Sequence, residues 1–225
     1  MRLALAILIC ASACSAQTVF NVTNGGNISL KSPGVTRFLV KAPGGPGSFS
    51  DNFNRADGAI GSNWSTPAGD TAFTIASSQV QAGAEGFANN LSLWVGSTLT
   101  GVISNSVQIT GSIVTAETYY GVVQCDINGN GGYLWANNSD AGLFLMTFTG
   151  GTSGSVLQSD ATPVISGTVL AMVVRAGSIQ CYTNGVLDFT YSGAATTGLL
   201  PGIYFTGNHN APQDTMDNAA GAGGF

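Results

Sequence analysis

Residues able to do acid–base or nucleophilic chemistry are few in this chain. Its 225 residues include eleven carboxylates, one histidine and four cysteines. Glycoside hydrolysis by acid–base catalysis needs two carboxylates facing one bond. Glu85 and Glu117 are the only glutamates, and neither has an acidic partner two or four residues away. Asp126 stands alone on its predicted strand. His209 lies in the polar run Gly207-Asn208-His209-Asn210. A histidine in such a loop is ordinarily solvated, and any Ser/His/Asp arrangement would have to use it. No G-x-S-x-G elbow, H-E-x-x-H pair, Cys/His cluster, phosphate loop or dinucleotide fingerprint is present.

Two kinds of binding chemistry remain. Calcium takes hard oxygen ligands. Asp51, Asp57 and Asp217-Asn218 would converge on an ion if the first and last strands pair. The competing reading is that these aspartates cap turns and bond Arg55. Asp126-Ile127-Asn128-Gly129-Asn130 opens like a calcium loop but lacks the closing acid, so it reads as a turn. No cofactor is required by any motif, and calcium is the one candidate.

Sugar recognition uses an aromatic platform beside amides and carboxylates that bond hydroxyls. Trp135-Ala136-Asn137-Asn138-Ser139-Asp140, with Tyr133 just before it, is the densest such cluster. Tyr133, Trp135, Asn137, Asn138 and Asp140 are therefore the expected ligand contacts, with Trp94 and Tyr120 as further aromatics. The alternative for each aromatic is a place in the core.

The elements that must position these residues are strands. Thr168 to Tyr191 holds three β-prone runs, broken at Arg175-Ala176-Gly177 and at Asn184-Gly185. Asn-Gly between such runs predicts a hairpin, because a type I′ turn needs positive φ at both central residues. Further strands are expected at 71–75, 79–81, 91–95, 106–114, 119–127, 133–136, 143–148, 202–206 and 213–218. A Gly/Ser/Thr-rich connection is expected after Phe148, and a frayed tail after Asn218. No stretch has helical period at convincing length. The fold class is all-β: a two-sheet antiparallel β-sandwich.

Charge narrows the partners. Charged residues make up 8% of the chain, and the formal net charge is −5. No cationic cluster exists to neutralise a phosphate backbone or an anionic bilayer. Nucleic-acid binding is not expected on that ground.

Residues 1–16 read as a secretory signal. Arg2 is the positive end, Leu3 to Ala11 the apolar run, and Cys14-Ser15-Ala16 the small-residue end. A lipid anchor at Cys14 is the minority reading. The apolar run is too short to span a bilayer as a stable anchor, and no later stretch is long and apolar enough to be transmembrane. Residues 17–47 form an extension ending in the Pro/Gly run Ala42 to Gly47, and 48–225 form the main domain. Cys125 and Cys181 would then be the remaining thiols. Alternation places both on faces shared with apolar residues, so both are expected toward the core. If their strands are neighbours they pair in an oxidising compartment; otherwise they are inert buried thiols.

Phe49 to Trp64 carries a specific pattern: Asp51, Phe53, Arg55, Asp57-Gly58, Ile60, Gly61-Ser62 and Trp64. It resembles the opening of concanavalin A-like lectin/glucanase domains of the laminin-G-like jelly-roll kind. Cys125-Asp126-Ile127-Asn128-Gly129, Tyr133, Arg175, Asn184-Gly185 and Asp217-Asn218 follow in the order such domains use. The resemblance spans roughly residues 48–220. It implies a jelly-roll sandwich of a secreted bacterial or phage-type protein, with the late Asp217-Asn218 beside the opening strand. Glucanases of that superfamily carry E-x-D-x-E, which this chain lacks, so catalytic residues are not implied. The expected role is a non-catalytic glycan-binding or adhesive module with a glycan or cell-surface polysaccharide as partner. The alternatives are a carbohydrate-active enzyme with a displaced site, and an assembly protein self-associating through residues 17–41.

Overall fold

The computed structural model describes residues 47–82, 89–99, 101–110, 119–138, 141–161, 164–193, 195–196, 198–206 and 215–223. Five short strands open this part: β1 (Ser48–Asp51), β2 (Gly58–Ala59), β3 (Trp64–Ser65), β4 (Thr74–Ala76) and β5 (Gln79–Gln81). Then come β6 (Asn90–Trp94), β7 (Ile103–Ile109), β8 (Tyr119–Cys125), β9 (Gly132–Asn138), β10 (Gly142–Thr149) and β11 (Thr152–Asp160). The rest are β12 (Val169–Arg175), β13 (Ser178–Thr183), β14 (Val186–Ser192), β15 (Leu200–Thr206) and β16 (Thr215–Gly223). One sheet runs β14-β13-β12-β7-β16-β5-β4-β2, with β1 also paired to β16. The other runs β11-β10-β9-β8-β15-β6-β3. These are the two antiparallel layers of a β-sandwich, as the sequence predicts.

Local chemistry explains the hairpins. Asn184 and Gly185 have φ of 52° and 76°, the pair of positive angles that the β13–β14 turn requires. Ser77 and Ser78 take the same conformation, at 52° and 61°, between β4 and β5. Serine does not favour it, and the Asp57 carboxylate compensates by accepting from Ser77 N at 2.8 Å.

Two expectations need correction. The polar stretch after Phe148 is not a connection but the nine-residue strand β11. Its pattern shows no apolar face because it is an edge strand turned largely to solvent. The tail is not frayed as far as Gly223: β16 lies inside its sheet, with Ala219–Ala222 against β1 and Ala220–Gly223 against β7. Its glycine and alanine reflect tight packing rather than mobility, since a Cβ on Gly221 would sit 2.4 Å from the Phe49 ring.

Between the sheets lies one apolar core, including Phe53, Trp64, Phe73, Val107, Trp135 and Phe205. Asn105 from β7 and Gln124 from β8 cross it. Asn105 Nδ2 donates to Val123 O at 3.0 Å and to Gly202 O at 3.1 Å. Gln124 Nε2 reaches Asn105 Oδ1 at 2.9 Å, Ile103 O at 3.1 Å and Met172 O at 3.3 Å. These bonds tie the layers together with fixed directions.

The seven-stranded sheet also buries its other face. Leu91, Leu93, Val123, Leu134, Met146, Phe148 and Tyr204 pack there as a second cluster. Phe148 and Tyr204 sit three strands apart in sheet order. In a flat sheet that separation is about 14 Å. Their rings meet at 4.9 Å, so this face is concave and curls over its own contents.

That second cluster overturns the pairing of the two cysteines. Cys181 is in the inter-sheet core, whereas Cys125 faces the concave cluster on the opposite side of its sheet. Both are free thiols. Alternation identifies which residues share a face; it does not say which of two apolar faces is the core. Burial pushes the Cys125 thiol up to about 12, helped by Asp126 and Asp70. Burial, then Asp188, also raises Cys181. Neither is an activated nucleophile.

The sheet edges are blunted. β2 and β3 hold two residues each. The β10–β11 ladder has two register shifts, and β14 bulges at Asp188 opposite Cys181 and Tyr182. Short and bulged edges resist edge-to-edge addition. The sandwich is therefore expected to sediment as a monomer, and a stable dimer of residues 47–225 would contradict this. The extension proposed for self-association, 17–41, lies outside the described residues.

Candidate functional site

The opening motif builds a structural hub. Asp51 receives Arg55 Nη1 at 2.8 Å and Nη2 at 2.9 Å. It also receives Trp64 Nε1 at 2.8 Å and Phe53 N at 2.9 Å. Arg55 Nη2 bonds Ile60 O as well. Together these hold buried Phe53 at φ 51°, a strained angle for an aromatic residue. Burial raises the Asp51 carboxyl, but the bonds from Arg55, Trp64 and Phe53 outweigh it and leave the group below its ordinary value. Stability from Asp51 is thus present above the usual aspartate range and lost as pH falls through its lower folded value. Asp51→Ala should cost about 3 kcal/mol and remove that part of the acid transition, read by denaturant melts across pH. A loss under about 1 kcal/mol would contradict the hub.

The calcium set is only partly assembled. β1 lies against β16, with Asp51 opposite Ala219. Asp51 and Asp217 come near enough for Asp51 to help raise the Asp217 pKa, after burial, which is the main cause. An open polar groove of about 390 Å³, lined by Ser50, Asp51, Asn52 and Asn218, sits there. Asp57 points elsewhere, to Ser77 N. Asp51 spends both oxygens on a guanidinium, an indole and an amide. The residues do not fit a calcium ion, and no group of three metal-ligating side chains occurs among the described residues.

The predicted sugar cluster is buried. Trp135 is 0% exposed and donates its indole N–H to Tyr182 O at 3.2 Å. Its ring meets Phe189 edge-on in the core. Asn137 Nδ2 donates to Tyr120 Oη at 2.9 Å. Asn138 is buried, and Tyr133 Oη accepts from Thr196 N at 3.1 Å. Trp94 and Tyr120 are also buried. These residues offer no ligand a face, so the platform expectation fails for the described members; Asp140 lies outside the described residues. The run is rich in aromatics because β9 is covered on both sides.

A different arrangement stands at one end of the concave face. Thr71 N and O bond Asn89 O and Leu91 N at 2.9 and 3.2 Å, which seats Asp70 beside the start of β6. The Gly150-Gly151 turn of the β10–β11 hairpin crosses over to it. Gly151 N donates to Gly129 O at 3.0 Å, and Gly150 N donates to Asn130 Oδ1 at 2.8 Å. Asp126 Oδ1 accepts from Asn128 N and Asn130 N at 2.8 and 2.9 Å, fixing the loop that carries exposed Ile127 and Asn128. Tyr204 Oη donates to Asn89 Oδ1 at 3.0 Å.

Asp70 is the unusual member of this cluster. Its carboxylate accepts no hydrogen bond and forms no ion pair among the described residues, although it is partly buried. Burial alone raises its pKa to about 6. Gly151 makes the close approach possible, since a Cβ there would lie 2.3 Å from Asp70 Oδ1 and φ is +72°. Gly151→Ala should destabilise the domain by about 2 kcal/mol and displace the hairpin tip. Amide exchange at the 150–153 turn reads it; unchanged protection there would contradict the placement. Nothing in Thr66-Pro67-Ala68-Gly69-Asp70 beyond turn signals marked this residue in the sequence.

No protein-family model and no curated protein sequence matches the chain. Solved structures do resemble it. The carbohydrate recognition domain of Emp46p, in a metal-free form, superposes with a TM-score of 0.51 at 7% identity, covering 72% of this chain and 89% of that one. A chain described with endo-acting O-glycanases of the human gut microbiota that initiate mucin breakdown gives 0.52 at 11%, covering 77% and 98%. Xylan β-1,4-xylosidase from Bacillus halodurans C-125 gives 0.54 at 12%, covering 77% of this chain but 38% of that one. What these likenesses share with the chain is a lectin-like jelly-roll sandwich.

Proposed function

We propose that this chain is a non-catalytic carbohydrate-binding module whose contact surface is the Asp70 end of the concave face. The observation that carries the reading is the Asp70 carboxylate, unpartnered among the described residues and packed against the Gly151 turn. A carboxylate with free lone pairs accepts from sugar hydroxyls, and the loop that bonds the Gly150-Gly151 turn carries the exposed, apolar Ile127. Resemblance in fold to a carbohydrate recognition domain supports the same reading.

The hydrolytic alternative needs a second carboxylate facing the same bond. Among the described residues the other acid of the loop cluster is Asp126, and its Oδ1 is taken by two backbone N–H groups. With the signal-like residues 1–16, the module acts outside the cell, and the mature chain begins at Gln17.

The test is a glycan array with the full chain, its Asp70→Asn variant and Asp57→Asn as a control. Specific binding lost in the first variant and kept in the second is the expected result. Silence across the array for the parent chain would end the reading.

A further inference from the structure

We propose that the Asp70 end selects glycans bearing a free, protonated amine over their N-acetylated and uronate counterparts. This deepens the module reading and rests on it. All eleven carboxylates of the chain lie at or after Asp51, whereas Arg2, Lys31, Arg37 and Lys41 precede Ser48. Among the described residues the cations are Arg55 and Arg175, and there is no lysine. Arg55 is committed to Asp51. Among the described residues the ionisable neighbours at the Asp70 end are Asp126 on its loop, Cys125 on β8 and Tyr204 on β15. None of them carries positive charge.

A ligand therefore meets a carboxylate that no cation among the described residues neutralises. A uronate or sulfate brings a like charge and is disfavoured. A neutral hydroxyl donates one hydrogen bond. An ammonium group donates and also relieves the cost of holding Asp70 ionised while partly buried. Gly151 packs directly against the Asp70 carboxylate, whereas a Cβ on Gly150 would meet nothing within 4 Å, so the turn is open on the Gly150 side.

The experiment is calorimetric titration of the full chain with three oligosaccharides of equal length. One is a chito-oligosaccharide with free amines, the second its N-acetylated form, and the third a polygalacturonate. Binding of the free-amine ligand about tenfold tighter than the acetylated one is expected, with no binding of the uronate. Asp70→Asn should bring that ratio to about one, and Asp57→Asn should leave it unchanged. Equal or tighter binding of the acetylated or uronate ligand overturns the proposal, as does a ratio that survives Asp70→Asn. If none of the three binds but another arrayed glycan does, selectivity for amines is wrong while the module reading stands. If no glycan binds at all, both fall.

Discussion

Asn105→Ala is expected to lower stability by about 3–4 kcal/mol, a fall of about 10 °C in melting temperature. Asn105 is 2% exposed, yet every polar atom of its side chain is used. Its amide hydrogens go to Val123 O and Gly202 O on two strands of the opposing sheet, and its oxygen accepts from Gln124. Alanine leaves a cavity, strips Gln124 of an acceptor and removes the donors that tie the sheets. The geometry also fixes how Gln124 must point. Its Oε1 is buried without a partner. Turning the amide over would set that oxygen against three acceptors, Ile103 O, Met172 O and Asn105 Oδ1, so one orphan carbonyl is the lesser cost. Replacing both residues by leucine should therefore be milder than the sum of the two single changes. Chemical denaturation of the four proteins reads the coupling. Additive losses, or a loss under about 1 kcal/mol for Asn105→Ala, would contradict the network.

The network also shows where sequence reasoning stops. Asn105 lies on β7 between Ile103 and Val107, and Gln124 on β8 next to Val123 and Cys125. Alternation places each on a face, but only the stacking of the layers brings the two amides together. The strands themselves were legible, because Asn-Gly corners and β-branched runs are local signals. β11 was not, since an edge strand needs no apolar face. The sugar cluster around Trp135 was misplaced for a related reason. β9 is buried on both sides, so its amides and aromatics serve the interior. Asp51 and Asp217 do approach as the motif order implies, because β1 pairs with β16. Arg55, four residues after Asp51, already fills the carboxylate that a metal would use. Asp70 carried no signal at all: its neighbour in space, Gly151, is far along the chain, and the meaning of the residue lies in having no donor among the described residues.

That lack of a donor predicts a variant that is more stable and less functional. Asp70 has a folded pKa of about 6, against about 3.9 in an unfolded chain. Between those values the folded state holds the proton more tightly. Stability from this group is therefore full below about pH 4 and is lost as pH rises through about 6. At neutral pH the ionised carboxylate is a net cost. The unscreened shift of two units would be about 2.7 kcal/mol, and partial exposure reduces it to about 1 kcal/mol. Asp70→Asn should raise stability at pH 7.5 by that amount, about 2–4 °C in melting temperature, and change little near pH 4. Burial raises Asp188 and Asp217 too, so a shallower slope of the same sign should remain. Asp51, held low by its donors, acts in the opposite direction and shapes the acid limb alone. The same substitution should weaken glycan binding about tenfold or more, since a charged acceptor is lost from the contact. A merely structural aspartate would show the reverse, with lower stability and any loss of binding following from unfolding. Melting curves at the two pH values, set beside titration of the folded variant, separate the cases. A drop in stability at pH 7.5, or undiminished affinity, would remove Asp70 from the site.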